Sequence, residues 1–273
     1  MNALTSNCRS GLLWALSLSF IAGCHQFSHS SPQNRTTSLV GGEPGKAVTK
    51  AQEADVQISL ARSAEQRGAF DEAIALYKSA LTRDKRRADA YQRLAILHDR
   101  KGEFQQSADL YKKALAHAPG NPDIYCDMGY SLFLQRRWVE SEQNLRQAIA
   151  LQPNHARAHN NLGLVLAHDH HDEEALAEYR KAGNEEPQAR CNLAVALTLA
   201  GRLSEAREQY QKILNADASS AVAQARLKEL DTVLARGAER RAGEPLDRQL
   251  SLAKAPPTDS GNSVSSTRAG NRD

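Results

Sequence analysis

Five consecutive residues, His168-Asp169-His170-His171-Asp172, crowd imidazole and carboxylate donors into one short stretch. Both groups are good ligands for zinc or nickel, so a metal site, or an enzyme built on one, is the chemistry this stretch could perform. Adjacent residues in a turn rarely preorganise a coordination sphere, however, and neither a His-Glu-x-x-His motif nor a spaced cysteine pair supports it. The chain has no nucleophile elbow, no phosphate-binding loop and no paired catalytic carboxylates. Its Asp and Glu residues scatter over what read as solvent faces. The expectation is a protein without cofactor, metal or small-molecule substrate, and not an enzyme.

The elements that carry these residues follow from one period. Leu60, Leu94, Met128 and Leu162 are evenly spaced, as are Tyr77, Tyr111, Leu145 and Tyr179, then Ala80, Ala114, Ala148 and Ala182, and finally Pro119, Pro153 and Pro187. A fixed period of about 34 residues marks an array of helical hairpins. Within each unit, apolar residues at helical spacing form two short amphipathic helices with a tight turn between them. Composition agrees: 41% of residues are hydrophobic but only 5% aromatic, which suits close helix packing better than a sheet. Basic and acidic residues nearly balance, 35 against 32, so no electrostatic footprint for nucleic acid is present. The densest basic run, Lys85-Arg86-Arg87, falls at a junction between units and reads as a solvated turn.

The anchor residues resemble the tetratricopeptide repeat (TPR) family, whose pattern appears as Leu94-Ala95, Gly102-x-Phe104, Tyr111, Ala114 and Pro119, and again as Met128-Gly129, Trp138, Ala148 and Pro153. The resemblance covers about residues 54–220. It implies an all-α, right-handed α-solenoid over 49–236, with repeats at about 54–87, 88–121, 122–155, 156–186 and 187–220 and a capping helix at 220–236. A capping box at Thr49 and Gln52 is expected to start the first helix. Trp138 and Tyr125 read as core anchors of the third repeat. Arg136 stands at the third turn and the His168–Asp172 stretch at the fourth, where a modified or weak loop is expected. The register shortens by three residues between Pro187 and Leu193. Gly237 is expected to end the capping helix, whose apolar face would hold Val222, Leu227, Leu230 and Leu234. Cys126 and Cys191 fall on first helices two repeats apart, roughly 20 Å at ordinary helix spacing, too far for a disulfide and therefore free thiols.

In the TPR family the first helix of each repeat lines a concave groove. The resemblance implies that Asp55, Ile58, Arg62 and Glu65, then Asp89, Gln92, Ile96 and Asp99, form a charged N-terminal end. An apolar stretch follows, carried by Cys126, Tyr130, Phe133, Leu134, Asn160, Leu164, Val195 and Leu199, with Arg157, His168, Cys191 and Thr198 beside it. This stretch is the expected site for a protein partner, a peptide or a helix. The Lys/Asn arrangement by which some members clamp a terminal carboxylate is missing.

Residues 1–23 read as a targeting segment: Arg9 followed by the apolar run GLLWALSLSFIA, too short to span a bilayer comfortably. The run ends in Ile21-Ala22-Gly23-Cys24, which resembles a bacterial lipobox, in which cleavage precedes the cysteine and its thiol is lipidated. That implies a membrane anchor at Cys24 in the cell envelope, with the repeats outside the cytoplasm. Residues 24–48, rich in Ser, Pro and Gly, read as a disordered tether, and 237–273 as a disordered tail. Small bacterial TPR lipoproteins serve as assembly or pilot factors for pili and secretins. The expected function is therefore a lipid-anchored scaffold for protein–protein interaction. A metal protein or enzyme using the His168–Asp172 turn, or a self-associating scaffold, are the alternatives.

Overall fold

The computed structural model describes residues 48–242, with side chains to Arg236. The expected targeting segment, the Cys24 anchor, most of the tether and the tail lie outside them. Among the described residues there are eleven α-helices and no strand. They are α1 (Lys50–Gln66), α2 (Phe70–Arg83), α3 (Ala88–Arg100), α4 (Phe104–His117), α5 (Pro122–Leu134), α6 (Trp138–Leu151), α7 (Ala156–His168), α8 (Asp172–Lys181), α9 (Glu186–Leu199), α10 (Leu203–Ala216) and α11 (Ala221–Ala242). None is long and apolar enough to cross a membrane. The first ten pair as five antiparallel hairpins, and each second helix also touches the first helix of the next pair. The result is an all-α repeat solenoid.

Each hairpin closes on small side chains. Ala61, Ala95, Gly129, Gly163 and Ala194 face Ala73, Ser107, Ser141, Ala175 and Ala206 across the pair, all of them buried. A Cβ on Gly163 would lie 2.7 Å from two atoms of the Tyr179 ring, and one on Gly129 would lie 2.7 Å from Leu145 Cγ. The helices are therefore as close as backbone permits. Thr49 caps α1 in a full capping box with Gln52, as expected.

All five hairpin turns are alike. After each first helix one residue takes positive φ: Gly68, Gly102, Arg136, His170 and Gly201, between 61° and 79°. The next amide then bonds back to a carbonyl of the last helical turn, as in Ala69 N to Ala64 O, Arg137 N to Leu132 O and His171 N to Leu166 O. This geometry needs a left-handed residue. Arg136 and His170 supply it without glycine, at a conformational cost of about 1–2 kcal/mol each. The expected modified loop at the fourth turn is thus the same turn with costlier residues.

Three expectations are corrected. The register slip does not lie between Pro187 and Leu193: α8 has 10 residues against 14 in α2, α4, α6 and α10, and α9 has 14 against 13 in α3, α5 and α7, a net loss of three. Ala182 caps α8 instead of packing like Ala148, and Gly183 breaks the chain at φ 90°. Pro187, in period with Pro119 and Pro153, sits in the first turn of α9, where its missing N–H costs nothing. At the C-terminus α11 runs through Gly237 to Ala242; one glycine costs about 1 kcal/mol in a helix, and the strong helix formers after it carry the helix on. Val222 is 51% exposed, while Ala223, Arg226 and Leu230 are the buried residues among the described side chains of α11. The chain divides into two compact units at Leu227/Lys228.

Candidate functional site

Residues on the first helices fall into two chemically different stretches. From α1 to α5 they are polar and bound to one another. Arg87 pairs with Asp55 and, at 3.0 Å, with Asp89, which Arg62 also reaches at 3.5 Å. Glu65 takes Arg93 and the Tyr77 hydroxyl, the latter at 2.6 Å. Asp99 accepts from Tyr111 at 3.0 Å and from Ser131 at 2.7 Å, and burial pushes its carboxyl pKa up. Asp127, also raised by burial, accepts from Gln92 at 2.6 Å and Arg157 at 2.8 Å. A hydrogen bond from His155, supported by Arg157, holds Asp123 at about 2. These charges tie successive repeats together. Expected as a charged end of a groove, these groups pair across repeats, with Asp55 and Arg62 still exposed.

From α5 onward the surface is aromatic and apolar. The Tyr130 and Phe133 rings stack at 6.2 Å between centroids, Phe133 meets Trp138 edge-on at 5.2 Å, and Trp138 stacks on His168 at 3.8 Å. Four rings thus run from α5 across the start of α6 to the end of α7. Trp138 is half-buried; it bridges two repeats and is not the fully enclosed anchor expected. Tyr125 is likewise half-buried. Beyond the rings, Leu164 and Val195 continue the line half-buried, and Leu199 is 39% exposed.

Models of the tetratricopeptide repeat match residues 64–125, 100–164 and 173–223, together more than half of the chain. The chain belongs to the tetratricopeptide-repeat family. Among solved structures it resembles pilF of Pseudomonas aeruginosa (24% identity, TM-score 0.51, covering 76% of this chain and 99% of that one). It also resembles a thermophilic TPR protein of Thermus thermophilus (23%, TM-score 0.51, 65% and 98%) and a tetratricopeptide repeat protein of Parabacteroides merdae (16%, TM-score 0.53, 76% and 82%). No curated protein matches.

Within this TPR array the expected partner-binding residues separate into two groups. Tyr130 (37% exposed), Leu134 (45%) and Leu199 reach the surface, with Phe133, Leu164 and Val195 beside them. Cys126 and Cys191 do not line an open groove, nor does Ile58; all three are buried. Their shared repeat position turns inward, and Asn161 donates to Cys126 Sγ at 3.5 Å. Burial pushes the Cys126 thiol up to about 12, so it is inert as a nucleophile, and both cysteines are free. Asn160 is occupied by Asn184 at 3.0 Å, a pairing that sequence reasoning missed.

The metal-like turn is likewise dispersed. Its first member, His168, stacks on Trp138; its last, Asp172, is gripped by Arg202 at 2.6 and 2.7 Å, and Arg202 also donates to Ala167 O and Glu205. Among the described residues no three His, Cys, Asp or Glu side chains are grouped to hold a metal ion.

His168 offers a pH readout. Burial, with help from Arg136 and His170, lowers its pKa below the ordinary value despite the opposing Asp169. The fold therefore favours the neutral ring, and the unfolded chain binds the proton more readily. Stability contributed by His168 is present above about pH 6.5 and is lost as pH falls through that value towards the depressed folded pKa. Emission from Trp138 should report this protonation with a midpoint below that of a free histidine, and His168→Asn should abolish the transition.

Proposed function

We propose that this TPR chain is a lipid-anchored scaffold of a bacterial cell envelope that holds a protein partner along the surface from Tyr130 to Leu199. The observation that carries it is the contrast between the two stretches of first helices. Charged groups from α1 to α5 are consumed in cross-repeat ion pairs, whereas Tyr130, Leu134 and Leu199 remain exposed in one apolar line. Exposed apolar side chains on successive first helices are the usual mark of a partner site, and their span suits an amphipathic helix or an extended apolar segment. The Ile21-Ala22-Gly23-Cys24 sequence supports the anchor. A diacyl anchor holds stably where a single chain would not. A role as assembly or pilot factor for a pilus or secretion machine rests on the lipoprotein resemblance; a neighbour at 24% identity shares only the fold. The rival metal reading loses His168 to Trp138 and Asp172 to Arg202.

The anchor is tested by growing cells with a palmitate analogue. The wild-type chain should label and fractionate with membranes, and Cys24→Ser should do neither. Labelling and membrane fractionation that survive in the Ser variant overturn the lipobox reading at Cys24.

A further inference from the structure

The outer face of α1 is built like an internal joint, but among the described residues no helix packs on it. Val56, Ala90, Ile124, Ala158 and Ala189 hold one repeat position; the four later ones are fully buried, while Val56 is 47% exposed. Leu60, Leu94, Met128, Leu162 and Leu193 hold another. Leu94, Leu162 and Leu193 are buried and Met128 is half-buried, whereas Leu60 is 49% exposed. In the second repeat these positions, as Ala90 and Leu94, pack into the core of the hairpin before it. The face on α1 is therefore shaped to receive a helix. A solenoid end usually carries polar side chains here.

The surroundings identify the occupant. The exposed strip reads Gln52, Val56, Ser59, Leu60 and half-buried Ser63, with no charged residue in it. Most of its polar atoms are engaged: Ser59 Oγ donates to Asp55 O at 2.9 Å, Gln52 Oε1 accepts from Thr49 in the capping box, and Ser63 Oγ accepts from Arg67. The flanking charges are paired inside the same hairpin, Glu53 with Arg83 and Arg67 with Glu72, both at 3.2 Å. Covering this strip desolvates few free polar groups, chiefly the Gln52 side-chain amide nitrogen and the Ser63 hydroxyl, so the cost that usually opposes burial is modest. An uncharged strip offers a foreign partner no charge pattern to select, and it meets its own copy without repulsion.

We propose that the chain forms a two-fold symmetric dimer in which the α1 helices of two copies pack antiparallel through Val56 and Leu60, crossing at Ser59. The groove line from Tyr130 to Leu199 lies on later repeats and stays free in the dimer, so this interface is separate from the proposed partner site.

Sedimentation equilibrium of the full chain in a density-matched non-ionic detergent tests it. The wild type should show a monomer–dimer equilibrium, and Leu60→Glu should raise the dissociation constant by at least about tenfold, equivalent to about 1.4 kcal/mol. A second readout does not depend on that variant. In a Cys8→Ala, Cys24→Ala background, Ser59→Cys should yield a disulfide-linked dimer on mild oxidation, because the two remaining cysteines are buried. Asp109→Cys, on exposed α4 surface, should not. A wild type that is monomeric at every concentration overturns the proposal. So does a dimer indifferent to Leu60→Glu that fails to cross-link at Ser59, and so does an open series of larger species, which would mean head-to-tail stacking.

Discussion

Tyr111→Ala is expected to cost about 3–5 kcal/mol, the range for truncating a buried aromatic ring. Tyr111 is 1% exposed and packs with Ala95, Ala114 and Ile124, a cluster that spans the second and third repeats. Its hydroxyl donates to Asp99, which also holds Ser131 of the next repeat. The truncation therefore leaves a cavity, removes a donor from a buried carboxylate and loosens the joint between repeats. Urea unfolding followed by circular dichroism should show a lower midpoint and a shallower slope, because a repeat array contacts only nearest neighbours and uncouples where a joint fails. A loss below about 1 kcal/mol would contradict this account of the joint. Two tyrosine-to-phenylalanine exchanges isolate the hydroxyl. Tyr111→Phe should cost about 1 kcal/mol, an ordinary hydrogen bond. Tyr179→Phe should be neutral or stabilising. Ala167 stands where Glu65 and Asp99 stand in the first two repeats, and the Tyr179 hydroxyl is buried with no hydrogen-bond partner.

The same residues show what the sequence made legible. A period of apolar and small residues specifies paired helices because each hairpin can close only where Ala or Gly faces Ala or Ser, so the helices followed from spacing, and the family from the resemblance of the anchor residues. Exposure at the array's end did not follow. Leu60 matches Leu94 in sequence, but its burial depends on a preceding repeat that a one-dimensional pattern cannot supply. The shortened α8 was visible as a register slip, yet the slip could not say which helix lost its last turn. The struts were missed for a different reason. Arg93 with Glu65, Arg157 with Asp127 and Arg202 with Asp172 are 28, 30 and 30 residues apart. A search for opposite charges near one repeat period would have found them. Cys126 was misplaced because a position on a first helix was equated with an open groove, whereas that position turns inward.

Replacing both Tyr130 and Phe133 with alanine is expected to abolish capture of the partner that the wild-type chain recovers from solubilised envelopes. Tyr130 is 37% exposed, and its ring lies parallel to that of Phe133. Stacked rings offer a rigid apolar surface at low entropic cost, and aromatic anchors dominate binding energy at interfaces. Losing such a pair typically removes about 2–4 kcal/mol, or roughly thirty- to a thousandfold in affinity. The stability cost should be smaller, about 1–2 kcal/mol, because the change removes one edge-on contact with Trp138 and leaves the buried core of the hairpin untouched. Leu60→Glu, on α1, should leave capture intact, and so should Arg62→Gln, whose charge is spent on Asp89. If the double variant unfolds, the aromatic line is a structural seam and the partner surface lies elsewhere. If it stays folded and captures at full strength, the later first helices do not carry the site. Loss of capture with the melt nearly preserved, and full capture by Leu60→Glu, would place the partner on the Tyr130–Leu199 line.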